Sequence, residues 1–193
     1  MDSPSHGRSP SIDSLSYQIL AEYVVELISE LRLGEVNILG YSDGAIVGML
    51  VAHMIPEKIN KLVFGAGALN PKASKPEGLE MLRSISPDVL PEDFAISYRN
   101  KSPNPDHWEE FVYNSKEMWL QEVWISKEIL PNIKCKVLVL FGDRDQFIPL
   151  SHAIEIHAAL ADSELCILPN SDHNVYSNPK LINPILVNFL SKN

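Results

Sequence analysis

The feature that most constrains this chain is an alternation of two apolar patterns. Short runs occur at Val36-Asn37-Ile38-Leu39, Lys61-Leu62-Val63-Phe64, Val137-Leu138-Val139-Leu140-Phe141 and Leu165-Cys166-Ile167-Leu168, each closed by Gly or Pro. Runs this short and this rich in Val, Ile and Leu read as strands buried on both faces, as in a parallel sheet. Between them lie segments with apolar residues at helical steps: Leu15 to Leu33 (through Leu20, Val24, Leu27 and Leu31), Ala45 to Met54, Ser151 to Ala161 and Leu181 to Leu190. Strand and helix taking turns predict an α/β fold, a doubly wound parallel sheet with flanking helices.

One stretch breaks that rhythm. Residues 71–131 hold Pro71, Pro76, Pro87, Pro91, Pro103, Pro105 and Pro131, half of the chain's 14 prolines, and all 3 of its tryptophans, Trp108, Trp119 and Trp124. Short helical patterns surround Glu77-Ile85 and Trp108-Trp119. A connection of this length needs structure of its own, so 71–131 is expected to be a helical cap or lid inserted into a core made of 1–70 and 132–193. The competing reading is that its aromatics only pack the insertion onto the core. The sequence holds no internal repeat and no low-complexity tract.

Composition narrows the function classes. At 193 residues and 45% hydrophobic the chain can bury a core without a disulfide or metal staple, as one domain. Lys and Arg total 16 against 25 for Asp and Glu, a net charge of -9 and the wrong sign for neutralising phosphates, so nucleic acid is not an expected partner. No window reaches the roughly eighteen apolar residues of a membrane span, and the polar, Pro/Ser-rich start lacks a signal-peptide core; no membrane partner and a cytoplasmic location are expected. Cys135 and Cys166 sit inside apolar runs and read as buried, reduced thiols. The acceptor-like Asn100-Lys101-Ser102 has meaning only in a secreted protein.

The chemistry concentrates where runs end. Gly40-Tyr41-Ser42-Asp43-Gly44 follows the first run and precedes a helical pattern opening at Ala45. This is G-x-S-x-G in a strand-turn-helix context, where small residues at Gly40 and Gly44 permit a tight turn that lifts the Ser42 hydroxyl above the sheet edge. The N–H of Asp43, at the start of the helix, is a candidate oxyanion donor. Serine needs a base, and the base needs an orienting carboxylate. The run ending at Phe141 enters Gly142-Asp143-Arg144-Asp145, and the run ending at Leu168 enters Ser171-Asp172-His173-Asn174. In a parallel sheet these loops share the carboxyl edge with Ser42. Asp145 as a capping or turn aspartate and His173 as an idle loop histidine are each plausible alone, but neither explains the order Ser42, Asp145, His173. Asp143 is the rival carboxylate; Asp145 is preferred because it lies farther past the strand.

Other candidates carry less. His152 and His157 are five residues apart, which does not place them on one helical face, and no metal site is expected. Gly65-Ala66-Gly67 lacks the helix onset and distant acidic residue of a dinucleotide fingerprint, so no nicotinamide or flavin cofactor is expected either.

On these residues the chain resembles the α/β-hydrolase family over nearly its whole length. Residues 37–44 with Pro56-Glu57-Lys58-Ile59-Asn60-Lys61-Leu62-Val63 resemble the family's elbow strand, helix and following strand, and Gly142-Asp143-Arg144-Asp145 and Ser171-Asp172-His173-Asn174 its acid and histidine loops. Residues 71–131 fall where the family carries its cap. Ser-Asp-Gly after an aromatic is similar to the branch of biphenyl-hydrolase-like esterases. His6-Gly7-Arg8-Ser9 resembles a segment that follows the family's early strands, so the resemblance implies an N-terminally shortened domain without the His-Gly loop that supplies a second oxyanion donor. The expected function is therefore a serine hydrolase acting on a small-molecule ester or related acyl bond through Ser42, His173 and Asp145. The strand at Val36-Leu39 would then present an unpaired edge, open to self-association. The competing readings are a non-catalytic interaction module that uses this edge, and a truncated reading frame of a full hydrolase.

Overall fold

The computed structural model describes residues 2–191. Strands β1 (Val36–Tyr41), β2 (Ile59–Gly65), β3 (Lys136–Gly142) and β4 (Ser163–Leu168) form one parallel sheet in chain order. The helices are α1 (Tyr17–Glu30), α2 (Asp43–Met54), α3 (Pro76–Ser84), α4 (Glu92–Lys101), α5 (Trp108–Trp119), α6 (Leu150–Ala159) and α7 (Pro179–Ser191).

Strand residues two apart face the same side, and the two inner strands use both. Leu62, Phe64, Val137, Val139 and Phe141 meet buried residues of α1, α2 and α6, whereas Val63, Leu138 and Leu140 meet Ile182, Leu186 and Phe189 of α7. The expected burial on both faces thus holds for β2 and β3 and fails for β1 and β4. Leu39 is 49% exposed and Leu165 37%, because the helices cover the middle of the sheet and an outer strand has one neighbour. The winding is lopsided too, with α7 alone on its face and no reversal of strand order among the described strands. Of the two cysteines, Cys135 is buried and Cys166 only half-buried; both are free. Among the described residues no helix is long and apolar enough to cross a membrane.

Residues 71–131 leave the sheet after β2 and return before β3, carrying α3, α4 and α5 with 3-10 turns at Pro71–Ala73, Pro105–His107 and Lys127–Asn132. The segment has a small core of its own in Ile85, Ala95, Tyr98, Trp108 and Val112. Its two ends meet at one residue. The Leu69 N–H donates to His152 Nε2 (3.2 Å), and the Leu69 carbonyl accepts from the N–H groups of Trp124 (3.0 Å) and Ile125 (2.9 Å). The N-terminal segment lies along the far side of the insertion. There Ser11 N donates to Asn104 Oδ1 (3.0 Å), Asn114 Nδ2 donates to the Asp13 carbonyl (3.2 Å), and the His6 ring stands edge-on to Phe111.

Candidate active site

Ser42 sits between β1 and α2 at φ 51° and ψ −118°, a conformation L-residues rarely adopt. The turn closes because Gly40 has no side chain: a Cβ there would stand 2.5 Å from the Gly44 carbonyl oxygen and 2.6 Å from Ala45 Cα. Gly44 does not share that role. A Cβ at Gly44 would meet nothing within 4 Å, so the expectation that both glycines permit the turn is corrected to Gly40 alone. The Ser42 N–H donates to the Gly65 carbonyl (2.8 Å), which ties the turn to β2. Ser42 is also the N-cap of α2, a place where serine ordinarily bonds back to its own helix. Here its side chain makes no such bond, and Oγ lies 3.1 Å from His173 Nε2.

Asp145, three residues past β3, is 2% exposed. Its Oδ1 accepts from the N–H groups of Phe147 (2.8 Å) and Ile148 (2.9 Å), and its Oδ2 lies 2.9 Å from His173 Nδ1. The two backbone N–H groups occupy Oδ1 and leave Oδ2 to accept from the imidazole. With Nδ1–H given to Asp145, Nε2 presents its lone pair to the Ser42 hydroxyl. The structure thus brings Ser42, His173 and Asp145 into one hydrogen-bonded line. It keeps Asp143 out of that line. Asp143 is exposed, its Oδ1 accepts from Ser171 N (3.0 Å), and the N–H groups of Asn170 and Ser171 hold its carboxyl below the usual range.

Several neighbours of the line had no signature in the sequence. The Phe147 ring meets the His173 ring edge-on at 5.0 Å, and Tyr41 lies tilted against it at 5.5 Å. The Asp43 carboxylate accepts from the Tyr17 hydroxyl (2.7 Å) and from Trp119 Nε1 (2.8 Å), joining α1, the elbow and α5. Burial, and then the Asp43 charge, push the Tyr17 hydroxyl far above its ordinary value, so it remains a donor. The backbone N–H of Asp43 belongs to the first turn of α2, where the helix itself supplies no acceptor.

A cavity of about 230 Å³ opens over this line. Ser42, Asp43 and His173 share its wall with Ile46 of α2, Phe147 of the acid loop and Met81, Leu82, Ile85, Trp119 and Trp124 of the insertion. Among the described residues no Lys or Arg lines it. Elsewhere, His152 Nδ1 donates to Glu155 Oε2 (2.9 Å) and His157 Nδ1 to Ser163 Oγ (2.7 Å), so both rings are engaged in local bonds. Among the described residues no group of three or more His, Cys, Asp or Glu is placed to hold a metal ion.

The human serine hydrolase BPHL is 27% identical to this chain over 177 residues, an alignment that takes in 89% of this chain and 60% of that protein. The 2-hydroxy-6-oxo-6-phenylhexa-2,4-dienoate hydrolase of Burkholderia cepacia is 23% identical over 197 residues, covering 89% of this chain and 68% of its own length. This chain therefore spans little more than half the length of the BPHL proteins, 60% of the human one and 54% of the mouse one. In fold it is similar to a meta-cleavage product hydrolase, CumD (TM-score 0.78, 16% identity, 100% of this chain and 79% of that one). It is also similar to an esterase of Exiguobacterium antarcticum (TM-score 0.73, 19% identity, 99% and 80%). The model of the alpha/beta hydrolase family matches residues 1–184, from the N-terminal segment through the sheet and insertion into α7. The chain belongs to the alpha/beta hydrolase family.

Proposed function

We propose that this chain is a serine hydrolase that cleaves a carboxylic ester or a related acyl bond, with residues 71–131 as a lid over the site. The observation that carries the reading is the unbroken line from Ser42 Oγ through His173 to a buried Asp145 carboxylate, at the mouth of an apolar cavity. Ser42 Oγ attacks the acyl carbon while His173 Nε2 takes its proton, and Asp145 stabilises the imidazolium. Negative charge then develops on the carbonyl oxygen, and the Asp43 N–H at the helix end is placed to bind it. His173 returns the proton to the leaving oxygen, and water repeats the sequence on the acyl-enzyme.

Cavity charge supports an uncharged substrate. The dienoate that names the Burkholderia relative carries a carboxylate, whereas this cavity has the Asp43 carboxylate in its wall and no cationic side chain. A second anion there would meet like charge with no cationic side chain among the described residues of the wall to offset it. Neutral p-nitrophenyl butyrate is expected to be hydrolysed at least about tenfold better than the carboxylate-bearing p-nitrophenyl hemisuccinate.

The same assay tests the machinery. Ser42→Ala, His173→Ala and the double variant should each lose about the same factor, on the order of 10³ or more, because the residues act as a unit. Wild-type turnover in a folded Ser42→Ala variant would end the reading.

A further inference from the structure

The acid loop is gripped by the insertion. Lys75 stands immediately before α3, at its N-cap, where its side chain makes no capping bond. Instead its ammonium donates to the backbone carbonyl of Asp145 at 2.6 Å, and its own N–H donates to the Phe147 carbonyl at 2.7 Å. One turn on, Gly78 lies so close that an added Cβ would be 3.3 Å from Phe147 Cδ1 and 3.4 Å from Phe147 Cα. The loop held this way, residues 145–148, carries both the carboxylate on His173 Nδ1 and the Phe147 ring against the imidazole.

We propose that Lys75 is a positioning residue for the acid loop, so that the first helix of the insertion and the Ser42-His173-Asp145 line are set together. The inference rests on the reading of Ser42 as a nucleophile and adds a dependence that the line itself does not require. Asp145 makes its own turn through Phe147 N and Ile148 N, which fixes the carboxylate relative to its loop. Those bonds do not fix the loop relative to the histidine loop. Lys75 reaches the loop from outside by two bonds, one of them charge-assisted and therefore stronger than a neutral pair. A loop free to shift by a fraction of an ångström would loosen the bond to Nδ1, and displacements near 1 Å have large effects on reactive geometry.

The test reads the activation of Ser42 without requiring turnover. The rate of phosphonylation of the full chain by an alkyl fluorophosphonate is followed by intact mass from pH 5 to 9, in wild type, Lys75→Met and Lys75→Arg. Lys75→Met is expected to react about tenfold to a hundredfold more slowly across the range, and Lys75→Arg, which restores a charged donor, to regain most of the rate. Lys75→Gln, which keeps a donor without the charge, takes the place of Lys75→Met should the latter fail to melt cooperatively. A wild-type rate in Lys75→Met overturns the proposal. So does a rate lowered alike in Lys75→Met and Lys75→Arg, since that marks a packing contact. Failure of the underlying reading has a different signature: no adduct on Ser42 in folded wild type.

Discussion

Two carboxylates follow β3 two residues apart, and their surroundings give them different work. Asp145 is buried among donors and meets the imidazole, while Asp143 is exposed and braces the turn at Asn170 and Ser171. Asp145→Asn is expected to cut kcat by about 10³–10⁴-fold, because an amide favours the wrong histidine tautomer without changing the shape of the site. Asp143→Asn should leave kcat within about threefold and the melting temperature little changed, as for an exposed acceptor. Steady-state kinetics beside thermal melting of the two variants checks both, and the reverse ranking would move the acid role to Asp143. Ser42 shows the same logic from the other side. Its hydroxyl gives up the capping bond that its position offers, at a backbone angle that costs energy, and the bond it makes instead is to His173.

His152 of α6 holds the place where the insertion leaves the sheet, accepting from Leu69 N and donating to Glu155, which Lys127 pairs from the other side. Burial lowers its pKa below the ordinary 6.5, against the opposing pull of Glu155, with Lys127 adding to the lowering. Between the folded value and 6.5 the unfolded chain binds more protons, so stability rises with pH there, is fully present above 6.5 and is lost as pH falls towards the folded value. The melting temperature should therefore drop between about pH 7 and pH 5, and His152→Gln should make the drop shallower. A slope unchanged by that substitution would remove His152 as its source. Neither this neck nor the Lys75 grip is legible in the sequence, because each joins residues about 70 or more positions apart with no spacing rule between them. What is legible is local. The inner strands announce themselves by apolar residues on both faces, the elbow by Gly40 and Ser42, and α5 by its Trp108–Trp119 period. β1 and β4 carry equally apolar runs, so their exposure, which depends on place in the sheet, was invisible. α4 escaped because only Ala95 and Tyr98 of its ten residues are buried, too few to show a helical period.

The sheet ends at β1 with no described strand beside it, and that strand leads directly into Ser42. An outer strand with Leu39 half-exposed and no proline or lysine along Val36–Tyr41 lacks the usual guards against pairing. At micromolar concentration the 193-residue chain is expected to self-associate, and Leu39→Lys to shift it towards monomer, by size-exclusion chromatography with light scattering. A monodisperse monomer from the unaltered chain would contradict this. At the opposite end of the site the meeting of both ends of the insertion at Leu69 has an evolutionary consequence. A polymer whose entry and exit are clasped at one residue resembles a cassette: beyond the stretch that holds the acid loop at Lys75 and Gly78, its contents can be exchanged while the sheet stays as it is. Closing such a loop costs only about 0.6 kcal/mol more for each doubling of its length. A lineage holding this clasp can therefore sample longer, shorter or differently folded insertions, one graft at a time.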